Sequence, residues 1–270
     1  VLELRNVCKT FNPASPDEVR ALQGVTFSMQ EGDFVVVVGT NGSGKSTLLN
    51  AIAGAFLLDA GQILLRGRDI TGFAEHRRAE FIGRVFQNPF SGTAPDMSIA
   101  ENLALASLRG RRRGLGWALT ARVMRESKER VKSLGMGLED RMDTLIGKLS
   151  GGQRQALTLL MATWLKPEVL LLDEHTAALD PKTAKKVIEL TEQVIRRDNL
   201  TTLMVTHSMQ QAINLGNRIV MMNKGTIIHD FREDEKKRLR VNDLLALFDE
   251  VRRKEQIDHS TAEMLERNYV

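Results

Sequence analysis

The chain has 270 residues, 42% of them hydrophobic and 27% charged, with a formal net charge of +4, which suits one or two domains with a buried core and excludes a disordered chain. Its 6 prolines and 21 glycines exclude a collagen-like or low-complexity composition. Apolar runs such as Phe34 to Val38 and Val169 to Leu172 fall far short of the roughly 20 residues of a membrane span, and Glu3 and Arg5 interrupt any signal-peptide core, so neither a span nor a secretory leader is expected.

Leu2-Glu3-Leu4 alternates and predicts a first strand, followed by a second over Ala21 to Met29. Cys8 has no cysteine partner and no metal-ligand spacing around it, which points to a reducing cytosol and a strand-filling role. Phe34 to Val38 is too apolar to alternate and suits a strand buried on both faces of a sheet. Gly39-Thr40-Asn41-Gly42-Ser43-Gly44-Lys45-Ser46-Thr47 follows, then Leu48, Leu49, Ile52 and Ala53 at helical spacing. Gln62 to Leu65 and Ile82 to Phe86 are further strand candidates. Ile99 to Leu108 and Ala121 to Leu134 read as helices, separated by a Gly/Arg stretch from Arg109 to Gly116. Strands then return at Val169 to Leu172, Thr201 to Thr206, Arg218 to Met222 and Thr226 to Ile228, interleaved with helices Gln153 to Trp164, Pro181 to Arg196 and Met209 to Leu215. The tail from Glu233 is charged and helical, with an apolar stripe through Leu244, Leu245 and Phe248. Strands alternating with helices predict an α/β fold with a largely parallel sheet covered on both faces, preceded by an N-terminal antiparallel β region.

Gly39 to Ser46 fits G-x-x-x-x-G-K-[ST] between a buried strand and a helix. The glycines let successive backbone N–H groups turn inward towards phosphate oxygens, and the helix adds its positive end. Lys45 reaches the β- and γ-phosphates, and the Ser46 hydroxyl can ligate Mg²⁺. Kinases, GTPases and motors share such a loop, so it leaves the chemistry open. Val169 to Leu172 ends in Asp173 and Glu174, whose side chains point to opposite sides. Asp173 can hold Mg²⁺ while Glu174 polarises an attacking water, although two acids can also simply solubilise a strand end. Leu149-Ser150-Gly151-Gly152-Gln153 opens a helix and makes a second anion-binding terminus, or an ordinary serine N-cap. The modest charge and 5% aromatic content argue against a nucleic-acid partner.

With these three motifs in this order the chain resembles the ATP-binding cassette (ABC) ATPases from about Leu2 to Ile228. The resemblance implies a P-loop NTPase core over 1–87 and 151–231, an inserted helical subdomain over 88–150, and a C-terminal tail over 232–270. It implies that Gly39, Thr40, Asn41, Gly42, Ser43, Gly44, Lys45, Ser46 and Thr47 bind ATP, and that Ser150, Gly151, Gly152 and Gln153 serve the ATP of a partner subunit. Asp180 falls in the dimer-crossing loop, where Asp180-Pro181 is also a good helix start. Gln87 matches the glutamine that contacts Mg²⁺ beside Ser46 and Asp173, and His207 the histidine that senses the γ-phosphate, ahead of Ser208 and Gln211 in capping-box spacing. Phe11 matches an aromatic that stacks on adenine, although a core Phe in a strand is common. Where the family usually has proline after the Asp-Glu pair this chain has His175, which reads as an exposed turn residue, with a proton-sensitive contact near the catalytic water as the alternative.

The implied machine is a dimer that closes on two ATP and two Mg²⁺, hydrolyses ATP with Glu174 as base and drives a separate permease from the cytoplasmic face of a bacterial membrane. Asp173 to Thr183 resembles a subgroup linked to uptake through an extracytoplasmic solute-binding protein, with amino acids as cargo. An exporter or lipoprotein-release ATPase is the alternative within the family, and a nucleotide-gated module with little turnover the alternative outside it, against which Glu174 and His207 speak. Asn88 to Pro95 has the Gly and Pro content of a bending lever. The arginines from Arg109 to Arg113 suit either a solvated loop or a contact with anionic headgroups.

Overall fold

The computed structural model describes residues 1–110, 119–251 and 253. In chain order, β1 (Leu2–Phe11), β2 (Val19–Met29) and β3 (Phe34–Gly39) precede α1 (Lys45–Ala53), β4 (Ala60–Leu65), β5 (Arg68–Asp69), α2 (Glu75–Arg78) and β6 (Ile82–Val85). A helical stretch follows with α3 (Ile99–Ser107), α4 (Ala121–Lys132) and α5 (Gly151–Thr163). Then come β7 (Val169–Asp173), α6 (Pro181–Asp198), β8 (Thr202–Val205), α7 (Met209–Asn214), β9 (Arg218–Asn223), β10 (Thr226–Arg232) and α8 (Glu233–Arg238). A last helix covers residues 241–251.

The strands form two sheets, ordered β2-β1-β4-β5 and β10-β9-β3-β8-β7-β6. The first is antiparallel. In the second, β3 pairs in parallel with β8 and β9, and β7 in parallel with β8 and β6, while β10 returns antiparallel on β9. Strand alternation divides the core accordingly. Val36, Val38, Leu170, Leu172 and Met204 face one side with α5, α6 and Leu244, whereas Val35, Val37, Val169, Leu171 and Leu203 face the antiparallel sheet and α1. A β-branched run buried from both sides fixes β3 firmly at the centre, and with it the loop that leaves its C-terminal end.

Several expectations change. β1 runs to Phe11 because β2 and β4 pair with it from both sides, through bulges around Val7 and Lys9 that absorb the break in alternation. Of the tail stripe, Leu244 and Phe248 are buried but Leu245 is 44% exposed, since neighbouring positions on a helix point about 100° apart. Arg109 is half-buried, and its Nη2 donates to Ala162 O at 2.9 Å near the end of α5. Arg111 to Arg113 lie outside the described residues. Pro89–Gly92 forms one 3-10 turn, capped by Asn88, whose side chain accepts from Phe90 N. No helix among the described residues is long and apolar enough to cross a membrane.

Arg78 is 1% exposed, and its guanidinium donates to Ala51 O, Ile52 O, Thr71 O and Phe73 O. It thereby satisfies carbonyls at the end of α1, the helix that the phosphate-type loop enters. Arg78→Met fills similar volume but strands these acceptors, so we expect a loss of about 3 kcal/mol and a Tm lower by roughly 5–10 °C in a calorimetric scan. An unchanged Tm removes the capping role.

Candidate functional site

The loop after β3 is shaped by its glycines. A Cβ on Gly39 would collide with Ser43 Oγ and Met222 O, and one on Gly44, at φ 99°, would stand 2.5 Å from Ala21 O. Lys45, at the first position of α1, folds back beneath the loop: its Nζ donates to Gly39 O at 2.9 Å, Thr40 O at 2.8 Å and Ser43 Oγ at 3.4 Å. Burial holds the ammonium below its ordinary pKa, opposed by the carboxylates of Glu174 and Asp173. Asn41, Gly42 and Ser46 are exposed, and Thr40 and Thr47 half-buried.

Asp173 and Glu174 diverge at the end of β7. Asp173 Oδ2 lies 3.5 Å from Arg84 Nη2. Its pKa is raised by burial, which the Arg84 guanidinium and Lys45 counteract. Glu174 takes a left-handed backbone, φ 42°, with its N–H bonded to Val205 O at 3.0 Å. Its Oε1 stands 2.5 Å from His207 Nε2 just beyond β8. Ser208 caps α7 through Gln211 N, but the expected capping box is only half formed. Gln211 Oε1 instead accepts from Thr206 Oγ1 at 2.7 Å, and its Nε2 donates to Thr176 Oγ1 at 3.3 Å. Gly39, Thr40, Asn41 and His207 line a cavity of about 560 Å³, closed on another side by Leu245 and Phe248 of the last helix. Lys45, Asp173, Glu174 and His207 thus gather at the C-terminal ends of adjacent parallel strands, where α/β sheets bind ligands.

The remaining candidates stand on other elements. Gln87 is exposed just after β6. Phe11 closes β1 and is 36% exposed rather than a core residue, with its ring edge-on to Phe56 at 5.4 Å and Lys9 Nζ 5.6 Å from its centre. At the start of α5 the capping box is complete: Ser150 Oγ accepts from Gln153 N at 3.3 Å and Gln153 Oε1 from Ser150 N at 3.2 Å. Gly151 packs 3.1 Å from Leu179 Cδ2 when given a Cβ, and a Cβ on Gly152 would run into the Thr183 methyl. Asp180 caps α6 by accepting from Thr183 N at 3.1 Å, and the Thr183 hydroxyl together with that N–H holds its carboxyl below the usual range. Ser150 to Gln153 and Asp180 therefore belong to one packed corner between α5 and α6.

Residues 22–177 match the family model described as ABC transporter. Over 249 residues the chain is 40% identical to the tyrosine transport ATP-binding protein of Clostridioides difficile (strain R20291), covering 92% of this chain and 99% of that protein. The chain belongs to the ABC transporter ATPase family. This cassette is also 33% identical over 230 residues to the spermidine/putrescine import ATP-binding protein PotA of Mesoplasma florum, spanning 84% of this chain and 60% of that one. Its fold matches, with a TM-score of 0.74 and 28% identity, a dimeric post-hydrolysis state of the ATP-binding cassette MJ0796 bound to ADP and Pi, over 86% of this chain and 98% of that one. The cassette binds ATP and is an ATPase, and the expected fold class is borne out.

Three side chains around the cassette's site go beyond what the sequence indicates. His175 is not an exposed turn residue: it is 1% exposed, with Nε2 3.1 Å from Thr191 Oγ1, because the left-handed turn at Glu174 directs the next side chain inward. Burial pushes its pKa down to about 4, so the ring is neutral at neutral pH. Arg84, a lone cation in the apolar strand β6, ties Asn50 Oδ1 at 2.6 Å to Asp173 and lies 4.4 Å over Phe86. That charge within a strand run was its only visible signal. Arg154, directly after Gln153, donates to Ile146 O, Gly147 O and Leu149 O and stacks 3.6 Å over Phe90. Nothing in the spacing of the sequence announces these pairings.

Proposed function

We propose that this cassette is the ATP-hydrolysing subunit of a bacterial importer, acting from the cytoplasmic face of the membrane with permease subunits and an extracytoplasmic solute-binding protein. The observation that carries the hydrolytic part is the 2.5 Å approach of Glu174 Oε1 to His207 Nε2 beside a phosphate-type loop. The loop from Gly39 to Gly44, with Ser46 and Thr47, receives the phosphates, and Lys45 exchanges its carbonyl partners for phosphate oxygens. Phe11, exposed at the end of β1, offers its ring to adenine.

Ser46, Gln87 and Asp173 supply hydroxyl, amide and carboxylate oxygens, a hard donor set that suits Mg²⁺. Asp173 fits this role because Arg84 stands 3.5 Å away, long for a charge-assisted bond, which leaves carboxylate lone pairs to offer. Bound there, Mg²⁺ would neutralise charge on the β- and γ-phosphates. Glu174 orients the attacking water and takes its proton, and His207 holds Glu174 and faces the γ-phosphate. Two copies of the chain meet head to tail, so that Ser150, Gly151, Gly152 and Gln153 of one face the ATP of the other, with Asp180 at the crossing. Closure moves the helical unit over 88–150 against the core formed by 1–87 and 151–231, and the permease follows.

The tyrosine transport relative supports an amino acid as cargo, and the polyamine import relative supports inward direction. The test is reconstitution of the cassette with its co-purifying permease in proteoliposomes and measurement of ATP-dependent tyrosine movement. Solute-binding-protein-dependent uptake is expected. Transport in the opposite direction, or tyrosine movement that does not depend on ATP, overturns the reading.

A further inference from the structure

Glu174 holds an unusual backbone. A left-handed conformation costs a non-glycine residue about 1–2 kcal/mol, and it persists where its surroundings over-determine it. The backbone on either side is tied: Glu174 N–H donates to Val205 O at 3.0 Å, and its carbonyl accepts from Ala177 N at 2.9 Å. The turn sends His175 into the protein, where it meets Thr191 in the middle of α6; the two residues are 1% and 2% exposed.

The hydrogen bond there has a defined polarity. Thr191 Oγ1 donates its one proton to Val187 O at 2.8 Å, so towards His175 it accepts, and Nε2 is the protonated ring nitrogen. His175 Nδ1 is then a bare acceptor, buried with no hydrogen-bond partner. An apolar side chain would fill this space without a stranded polar atom, so packing alone does not account for an imidazole. What the imidazole supplies is the bond to α6. The next residue is tied as well, with Thr176 Oγ1 accepting from Gln211, which is bonded to Thr206 beside His207.

We propose that His175 and Thr191 are a positioning pair: their buried hydrogen bond to α6 fixes the turn that aims the Glu174 carboxylate at His207 and the attacking water. The proposal rests on Glu174 being the hydrolytic base. Neither residue touches nucleotide; both act through Glu174. Because α6 also begins at Asp180, the pair ties the base to the helix that starts at the dimer crossing.

The test uses the full-length protein with four substitutions: His175→Gln, whose Nε2 donor stands near the imidazole Nε2, His175→Leu, which fills without donating, Thr191→Ser, which keeps the acceptor, and Thr191→Val, which removes it at equal shape. ATPase kcat and KM and ATP affinity are measured for each. Thr191→Val and His175→Leu are expected to lower kcat roughly tenfold or more with KM within about twofold, while Thr191→Ser and His175→Gln restore kcat to within about threefold of wild type. In a Glu174→Gln background, Thr191→Val should slow the residual rate no further, because a positioning residue has nothing left to position. A wild-type kcat for Thr191→Val, or equal slowing with and without the Glu174 carboxylate, overturns the proposal. Should His175→Leu fail to fold, the isosteric Thr191→Val still decides. If Glu174→Gln alone hydrolyses ATP at the wild-type rate, it is the base assignment that fails, which is distinguishable from a slow Glu174→Gln with an unaffected Thr191→Val.

Discussion

Glu174→Gln lowers steady-state phosphate release by at least about a hundredfold while ATP affinity stays near wild type. General-base catalysis contributes about 10²–10⁴ in rate, and glutamine preserves the size of the side chain while removing its capacity to take a proton. The side chain is 12% exposed and its Oε1 is 2.5 Å from His207 Nε2, so the amide remains within hydrogen-bond reach and the site keeps its shape. With ATP bound and hydrolysis blocked, the closed dimer should accumulate, and light scattering in the presence of ATP should report a doubled mass that wild type shows only transiently. Hydrolysis within a few fold of wild type would assign the water to another group and remove Glu174 from the chemistry.

Lys45→Met abolishes hydrolysis by a different route, weakening ATP binding by about a hundredfold. The methionine replaces the apolar stem, so the difference isolates the ammonium, which is charge-assisted in any bond to phosphate and worth about 1.5–3 kcal/mol per bond. The same ammonium is bonded to Gly39 O and Thr40 O and held below its ordinary pKa by burial. A substitution therefore also strands two loop carbonyls, and the loop loses its internal brace. Titration calorimetry with ATP reads the affinity directly. Full affinity with lost turnover would instead place Lys45 in the hydrolytic step alone. Together the two variants separate binding from chemistry, since one is expected to hold ATP without cleaving it and the other to fail at holding it.

The central sheet was legible because its signal is local. Runs such as Phe34 to Val38 and Val169 to Leu172 state their burial in consecutive residues, and the loop from Gly39 to Ser46 declares its chemistry by residue type and spacing. The length of β1 was not, because residues beyond Leu4 are held by partners in β2 and β4 rather than by their own alternation. His175 was misread for a related reason. Whether a turn residue points out or in depends on the backbone of the residue before it, and a left-handed glutamate has no signature in sequence. Arg78 and Arg154 are charged residues whose partners are backbone carbonyls. Carbonyls exist at every position, so no pattern of side chains marks which of them need a donor. The roles proposed for Gln87, Asp180 and Phe11 rest on the family resemblance rather than on the residues alone.

The guanidinium of Arg154 lies against the Phe90 ring while its nitrogens grip three carbonyls between Ile146 and Leu149. A plane clamped on its face and along its edge cannot shear cheaply in either direction. The short turn from Pro89 to Gly92 and the loop that enters α5 are therefore joined through one side chain, although 56 residues of sequence separate Phe90 from Ile146.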